Sequence, residues 1–164
     1  MPYKVDTDKV VRFYEQEFYV LSNFSAFRMA WKGYDFDTSE IVYHWEKFRG
    51  NGIEPPEVIS GKSRARFDLM HARSSHDAYK VAQDNKEFQI PNWNEIKVDV
   101  MRDILRAKVD QHPYVKKKLL ETGDRLLIED SWRDSYWGWG ADEKGQNVLG
   151  RLWMEVRDEV RKKE

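Results

Sequence analysis

The chain has 164 residues, which is enough for one globular domain with its own core, and we expect a single domain over residues 1–164. It contains no cysteine, so disulfide bonds, a thiolate nucleophile and cysteine-ligated metals are excluded. The formal net charge of -1 argues against a broad basic surface for nucleic acid, and the apolar runs are too short for a membrane span. Because the N-terminus lacks the apolar segment of a secretory signal, we expect a cytoplasmic protein.

Aromatic residues are frequent for a chain of this length. They make up 14% of the sequence and include seven tryptophans. Aromatic rings beyond the needs of packing often form walls against which flat ligands stack. The alternative is that the tryptophans fill a core that is poor in leucine. The composition therefore leaves both a ligand-binding wall and a plain core open.

An early apolar stretch, FYVLSNFSAF at 18–27, contains the two small polar residues Ser22 and Asn23. A buried hydroxyl or amide without a partner costs about 1–3 kcal/mol. We therefore expect both side chains to hydrogen-bond to the backbone or to a ligand. Short strands are expected to dominate this part of the chain, up to about Asp37.

A hairpin is predicted within this region. Residues 28–31 and 34–36 have the composition of short strands and flank the pair Lys32 and Gly33. Glycine readily adopts the positive φ that a tight hairpin turn requires. The sequence therefore predicts two antiparallel strands joined at this pair.

Helical patterns make up most of the remaining chain. Ile41, Trp45 and Phe48 recur at helical spacing, and the following segment NGIEPP is expected to end their helix. Gly123 is predicted to end a later helix as its C-cap. The predicted helices span 38–49, 63–72, 75–84, 95–111 and 114–122.

The last part of the chain begins with a predicted strand, RLLIED at 125–130. A long loop rich in tryptophan and glycine follows, SWRDSYWGWGADEKGQN at 131–147. Apolar residues at helical spacing from Leu149 to Val160 predict a closing amphipathic helix. Since strands and helices are segregated along the chain, we predict an α+β fold that is rich in helix, with short N-terminal strands.

The first candidate for chemistry lies on the helix predicted over 38–49. Glu40, His44 and Lys47 are spaced i, i+4 and i+7, which places a carboxylate, an imidazole and an amine on one stripe. The alternative is structural. Asp37 and Glu40 fit a capping box, and Lys47 would then be a solvated surface charge.

The second candidate is the loop at 131–147 together with Asp130. Its carboxylates lie among tryptophan and tyrosine side chains, a setting that suits proton transfer or the stabilisation of a developing cation. Its glycines would let the backbone approach a ligand closely. The alternative is a tryptophan-rich plug at the edge of the core. The residues concerned are Asp130, Trp132, Asp134, Tyr136, Trp137, Gly138, Trp139 and Gly140.

Several common sites are absent from the sequence. Neither a dinucleotide fingerprint nor a phosphate-binding P-loop occurs, and no G-x-S-x-G elbow frames a serine. His71, His76 and His112 lack the spacing of metal ligands. We therefore expect neither a metal nor a cofactor.

Taken in order, short motifs along the chain resemble the NADAR family, also called YbiA-like. The resemblance runs from about residue 11 to residue 160 and implies a helix-rich α+β fold with N-glycosidase activity. Ile41 and Val42 depart from the pattern of many relatives, which leaves the substrate open. The matching segments are LSNF at 21–24, TSE at 38–40, KF at 47–48, Trp93, LRAK at 105–108, TGD at 122–124, Leu127 with Glu129, WGWG at 137–140, and 145–157.

The resemblance implies hydrolysis of the bond between a ribose carbon and a base nitrogen. The substrate would be ADP-ribose attached to guanine, as a small molecule or on nucleic acid, or else a phosphorylated intermediate of riboflavin synthesis. Pairing with an ADP-ribosylating toxin is a further implication. A member of a different class, a module that binds ADP-ribose or a nucleotide without cleaving it, remains an alternative.

Carried over by position, Glu40, Lys47, Trp93 and Asp134 fall where the family keeps functional residues. Since such a reaction passes through an oxocarbenium-like state, Glu40 is expected to stabilise the positive charge or to activate water. Asp134 would hold ribose hydroxyls or act as the second acid or base. Lys47 is left with three roles, namely pairing with Glu40, binding phosphate, or attacking the ribose carbon as an amine.

The remaining site residues are expected to bind the substrate. Trp93 and Trp137 would stack on the base or cover the site against water. Ser22 and Asn23 would bond to ribose or phosphate, with Phe24 anchoring their turn. The other substrate-binding candidates are His44, Tyr136 and Gly138, and Arg106 is a weaker candidate for phosphate, as is Lys108.

Overall fold

The computed structural model of the chain describes residues 6–164. Residues 1–5, on which part of the localisation prediction depends, lie outside this range. The fold is α+β and rich in helix, as predicted. Within the described range, no helix is both long enough and apolar enough to cross a membrane. The strands are β1 (Val10–Arg12), β2 (Met29–Trp31), β3 (Tyr34–Phe36) and β4 (Leu126–Ile128), and the α-helices are α1 (Ser39–Glu46), α2 (Pro56–Met70), α3 (Ser75–Asp84), α4 (Trp93–Gln111), α5 (Pro113–Glu121) and α6 (Val148–Lys162).

The chain divides into two compact units. One consists of the residues up to Ser25 together with Leu105–Glu164, and the other of Ala26–Ile104, so the division falls within α4. A single domain over 1–164 remains a prediction.

The first unit is built on a parallel pair of strands from opposite ends of the chain. Val11 of β1 pairs with Leu127 of β4, and both side chains are fully buried. Helix α6 packs on β4 at Gly150, where an added Cβ would lie only 2.1 Å from the Leu127 carbonyl oxygen. The buried indole of Trp153 on the same helix donates a hydrogen bond to the Leu21 carbonyl at 2.8 Å. Glycine at 150 therefore permits the contact on which this core depends.

The second unit contains the hairpin and α1, α2 and α3. Strands β2 and β3 are antiparallel, with Trp31 opposite Tyr34, as predicted. The two turn residues Lys32 and Gly33 both have positive φ, 49° and 86°, which matches the right-handed twist of a two-residue hairpin. The three helices pack on one another, and Leu69 of α2 is fully buried in their core.

Several predicted element bounds are wrong, for local reasons. Helix α1 is capped by Thr38, whose Oγ1 accepts from the Ile41 N–H at 3.3 Å, so the capping box from Asp37 is incorrect. Helix α2 begins at Pro56 and not at residue 63, because proline is well suited to the first turn of a helix. Residues Gln16–Leu21 form a 3-10 helix where short strands were expected.

Other predicted elements agree closely with the structure. Helix α3 has the predicted bounds, and α4 begins two residues earlier than predicted. Gly123 follows α5 with φ of 60°, the left-handed conformation expected of a C-cap glycine. The bounds of these elements are set by residues adjacent to them in the sequence, which explains the agreement.

Candidate active site

The stripe on α1 brings a carboxylate and an imidazole into direct contact. His44 Nε2 lies 2.9 Å from Glu40 Oε1, and the two side chains are only 3% and 16% exposed. Since an ionised carboxylate only accepts hydrogen bonds, the imidazole is the donor when Glu40 is charged. The second ring nitrogen, His44 Nδ1, is buried and has no hydrogen-bond partner within residues 6–164. This pair holds the Glu40 carboxylate in one orientation.

Lys47 follows the last turn of α1 and is buried, which contradicts its interpretation as a solvated surface charge. Its ammonium lies over the ring of Tyr43, 5.1 Å from the ring centroid. Burial lowers the pKa of Lys47 to about 8, and the neighbouring charge of Glu40 acts in the opposite direction. A larger share of this amine is therefore neutral near pH 7 than in an exposed lysine.

Trp93, the first residue of α4, is buried against the same tyrosine. The ring centroids of Trp93 and Tyr43 are 5.2 Å apart. Tyr43 thus contacts both the indole of Trp93 and the amine of Lys47, and sequence reasoning did not single it out. The i, i+4 spacing of Tyr43 and Lys47 on one helix was the signal that would have found it.

Glu46, next to Lys47, is a fully buried carboxylate that holds the end of α1 to the hairpin. Its Oε1 accepts from Trp31 Nε1 at 2.9 Å and pairs with Lys32 Nζ at 3.0 Å, and Arg49 pairs with Oε2. Burial raises the pKa of Glu46, but the hydrogen bonds from Trp31 and Lys32 and the charge of Arg49 outweigh it, so the pKa falls below its ordinary value. This ion cluster fixes the backbone next to Lys47.

The loop at 131–147 in the other unit is held by hydrogen bonds to one of its own side chains, Asp134. Asp134 Oδ1 accepts from the N–H groups of Tyr136 and Trp137, at 2.9 and 2.8 Å. The rings of these two residues then meet edge to face with centroids 5.0 Å apart. Asp134 therefore has a structural role in the loop, whatever chemistry it performs, and it positions two of the predicted binding residues.

Glycines allow this loop to fold back on itself. At buried Gly138 an added Cβ would lie 2.8 Å from the Asp134 carbonyl oxygen. Asn147 joins the end of the loop to β4, since its Nδ2 donates to Leu127 O and its Oδ1 accepts from Glu129 N, both at 2.9 Å. The close approach expected at Gly138 is thus an approach of the loop to itself, and contact with a ligand at this residue remains a prediction.

The Ser22–Ser25 turn contains three predicted binding residues. Ser22 and Asn23 are buried, and Ser22 Oγ accepts from the Phe24 N–H at 3.2 Å, which confirms that the hydroxyl bonds to the backbone. Phe24 is 52% exposed, so the expectation that its ring anchors the turn is wrong. Polar contacts from Ser25 and Lys108 hold the turn instead.

Arg106 lies on α4 and is paired with a side chain of α6. Its Nε and Nη2 donate to the two carboxylate oxygens of Glu159 at 2.9 and 2.6 Å. A phosphate would have to compete with this bidentate pair. Lys108, the other weak phosphate candidate, is fully buried. Among the described residues, no group of three histidine, aspartate or glutamate side chains is placed to hold a metal ion.

Comparison with known proteins decides the family. Residues 12–161 match the family model described as the NADAR domain. This chain belongs to the NADAR family. The match includes residues of both units and every residue considered above as a site candidate.

Two N-glycosidases and one solved structure are similar to the chain over most of its length. N-glycosidase YbiA of Escherichia coli (strain K12) is 31% identical over 155 residues, which cover 93% of this chain and 89% of YbiA. An N-glycosidase of Nostoc punctiforme is 32% identical over 147 residues, covering 89% of this chain and 88% of the relative. The NMR structure of E. coli YbiA superimposes with a TM-score of 0.79 at 30% identity, covering 97% of this chain and 89% of that one.

A third relative is named for riboflavin biosynthesis and not as an N-glycosidase. A riboflavin biosynthesis protein of Vibrio vulnificus is 32% identical over 140 residues, which cover 85% of this chain and 35% of the relative. With N-glycosidases matched along nearly their full length, this NADAR chain is an enzyme, a hydrolase that cleaves N-glycosyl bonds.

Proposed function

We propose that the chain hydrolyses the bond between the ribose C1 carbon and a base nitrogen in ADP-ribosylated guanine, as a nucleoside or in DNA. The observation that supports this most directly is the arrangement on α1. A carboxylate held by an imidazole lies on the same helix stripe as a buried amine with a lowered pKa. A module that only binds its ligand has no need of this combination.

Glu40 stabilises the positive charge that develops on the ribose as the base departs, or activates the attacking water. His44 keeps the carboxylate oriented through its Nε2 hydrogen bond, and its buried Nδ1 is a candidate for a bond to the substrate. Tyr136 and Trp137, whose rings meet edge to face, stay predicted residues for binding the base.

Lys47 is proposed as the nucleophile. With its pKa lowered to about 8, roughly one amine in ten is neutral at pH 7, against fewer than about one in a thousand for an ordinary lysine. In this route the amine nitrogen bonds to C1, the C1–base bond breaks, and the base takes a proton. Water then adds to C1 and releases the amine.

The proposed reaction is tested by replacing Glu40 with glutamine. Glu40→Gln keeps the shape of the side chain and removes its charge, so we expect a folded protein whose turnover falls by about 10² or more. Free base released from ADP-ribosylated guanosine is the measurement. Glu57→Gln, a change at an exposed residue of α2, is the matched control and is expected to retain full turnover. Full turnover in Glu40→Gln would contradict the assignment.

A second substrate class is favoured by the name of the Vibrio relative, a riboflavin biosynthesis protein. The same assay is therefore run with a phosphoribosylaminopyrimidine. Release of base from this compound alone would replace the guanine substrate with the riboflavin intermediate. Binding of either compound without release of base would contradict catalysis and favour a binding module.

A further inference from the structure

The Ser22–Ser25 turn is held by a lysine that is distant in sequence. Lys108 Nζ donates to the Ser22 carbonyl oxygen at 3.0 Å and to Ser25 Oγ at 2.9 Å. The Ser25 hydroxyl in turn lies 2.7 Å from the Ser22 carbonyl and 3.1 Å from the Val20 carbonyl, and its single proton serves one of them at a time. One amine thus connects both ends of the turn to α4.

Packing alone does not account for Lys108. The side chain has no exposed surface, and burying an amine costs free energy that a leucine or methionine would avoid. Burial lowers the pKa of Lys108 to about 7, opposed by the charge of Glu129. The neutral and the charged amine both have N–H groups to donate, so the contact with the turn does not require the charge.

We infer that Lys108 is a positioning residue, which fixes the Ser22–Ser25 turn in the conformation that binds the sugar–phosphate part of the substrate. This inference rests on the proposed function and on the predicted binding role of Ser22 and Asn23. Lys108 itself has no exposed surface from which to reach a substrate. Its effect is exerted through the backbone of the turn.

The test compares two buried lysines. Lys108→Met retains the length and apolar volume of the side chain and removes both hydrogen bonds to the turn. Lys62→Met is the matched control, because Lys62 is also buried and bonds to the Arg49 carbonyl and to Glu54 in the other unit. Both variants lose a buried amine, and only the first loses contacts with the turn.

The measurement is the separate determination of KM and kcat on the folded fraction of each variant. For Lys108→Met we expect KM to rise about tenfold, the equivalent of about 1.4 kcal/mol, with kcat within about threefold of the unmodified chain. Lys62→Met is expected to leave KM near its original value. An unchanged KM in Lys108→Met would overturn the inference.

If Lys108→Met does not fold, Ser25→Ala removes the hydroxyl that accepts from Lys108 and bonds to the Ser22 or Val20 carbonyl, and leaves the amine in place. A KM raised by about threefold is then expected, since the turn loses the bonds of this hydroxyl. Unchanged KM in this variant would equally overturn the inference.

Failure of the proposed function gives a different result. If the unmodified chain releases no base from either substrate, the proposed function fails while Lys108 is still testable. Affinity for free ADP-ribose then replaces KM, and equal affinity in Lys108→Met and in the unmodified chain overturns the inference. Loss of amide-hydrogen protection at Ser22 and Ser25, together with weaker ADP-ribose binding, would support it.

Discussion

Helix α1 and the loop at 131–147 position their site residues in different ways. On α1, Glu40 and His44 are placed by helical spacing, and each projects from a backbone that other residues stabilise. In the loop, the Asp134 side chain itself holds the backbone on which Tyr136 and Trp137 lie. A substitution on the helix can therefore change chemistry alone, whereas one in the loop changes chemistry and conformation together.

The largest effect on stability and turnover is expected from a substitution that disturbs the backbone of the loop. At Gly145 an added Cβ would lie 2.6 Å from the Trp139 carbonyl oxygen and 2.7 Å from those of Gly138 and Ser135. Since backbone atoms cannot give way as a side chain can, Gly145→Ala is expected to destabilise the protein by about 3 kcal/mol. Turnover is expected to fall by more than about 10², because Tyr136 and Trp137, the residues predicted to bind the base, are displaced.

Chemical denaturation and base release measure the two effects. Gly50→Ala is the control, since its Cβ would meet only Glu54 Oε1, at 3.9 Å, and we expect a stability change of less than about 0.5 kcal/mol. If Gly145→Ala were as stable and as active as Gly50→Ala, the loop would have to be far more adaptable than its hydrogen bonds indicate.

Asp134 allows the conformational and chemical contributions of the loop to be separated. Asp134→Asn keeps an oxygen that can accept from Tyr136 N and Trp137 N, and removes the charge. If Asp134 is the second acid or base, this variant loses activity by about 10² with stability unchanged within about 0.5 kcal/mol. Asp134→Ala also loses the hydrogen bonds from Tyr136 N and Trp137 N and is expected to be about 1 kcal/mol less stable.

Turnover and denaturation midpoints of the two Asp134 variants distinguish a chemical role of this residue from a purely conformational one. Retained activity in Asp134→Asn with reduced activity in Asp134→Ala would mean that Asp134 only organises the loop. The alternative interpretation of the loop as a plug at the edge of the core would then gain support, and α1 would carry the chemistry without a second carboxylate from the loop.

The structural features that were predicted correctly depend on residues that lie close together along the chain. The hairpin turn at Lys32 and Gly33, the bounds of α3 and the C-cap at Gly123 are each set by adjacent residues. The contact of Glu40 with His44 also follows from helical spacing. The sequence placed the cap of α1 at Asp37, whereas Thr38 caps the helix. The two could not be told apart from the sequence, because both residue types cap helices well.

What the sequence did not predict depends on residues that are distant along the chain. Lys108 and Ser25 are 83 positions apart, and no local pattern indicates that one bonds to the other. The burial of Lys47 was likewise not visible, since a lysine at the end of an amphipathic helix is usually solvated. The bonds of Asp134 to the backbone two and three residues ahead are local, and its position in the loop could have indicated them.

The burial of Lys47 on α1 predicts a smaller effect that depends on pH. Its pKa is about 8 in the folded chain and near 10.5 when exposed, so the unfolded chain binds more protons between these values. Stability attributable to Lys47 therefore rises with pH across this window, by at most about 1.2 kcal/mol per pH unit, and the cost of burial is greatest below pH 8. Lys47→Met removes the titrating group, so its stability, measured by urea denaturation at several pH values, should rise less steeply than that of the unmodified chain. Identical slopes would show that Lys47 titrates as an exposed lysine does, and the case for a neutral amine nucleophile on α1 would then be lost.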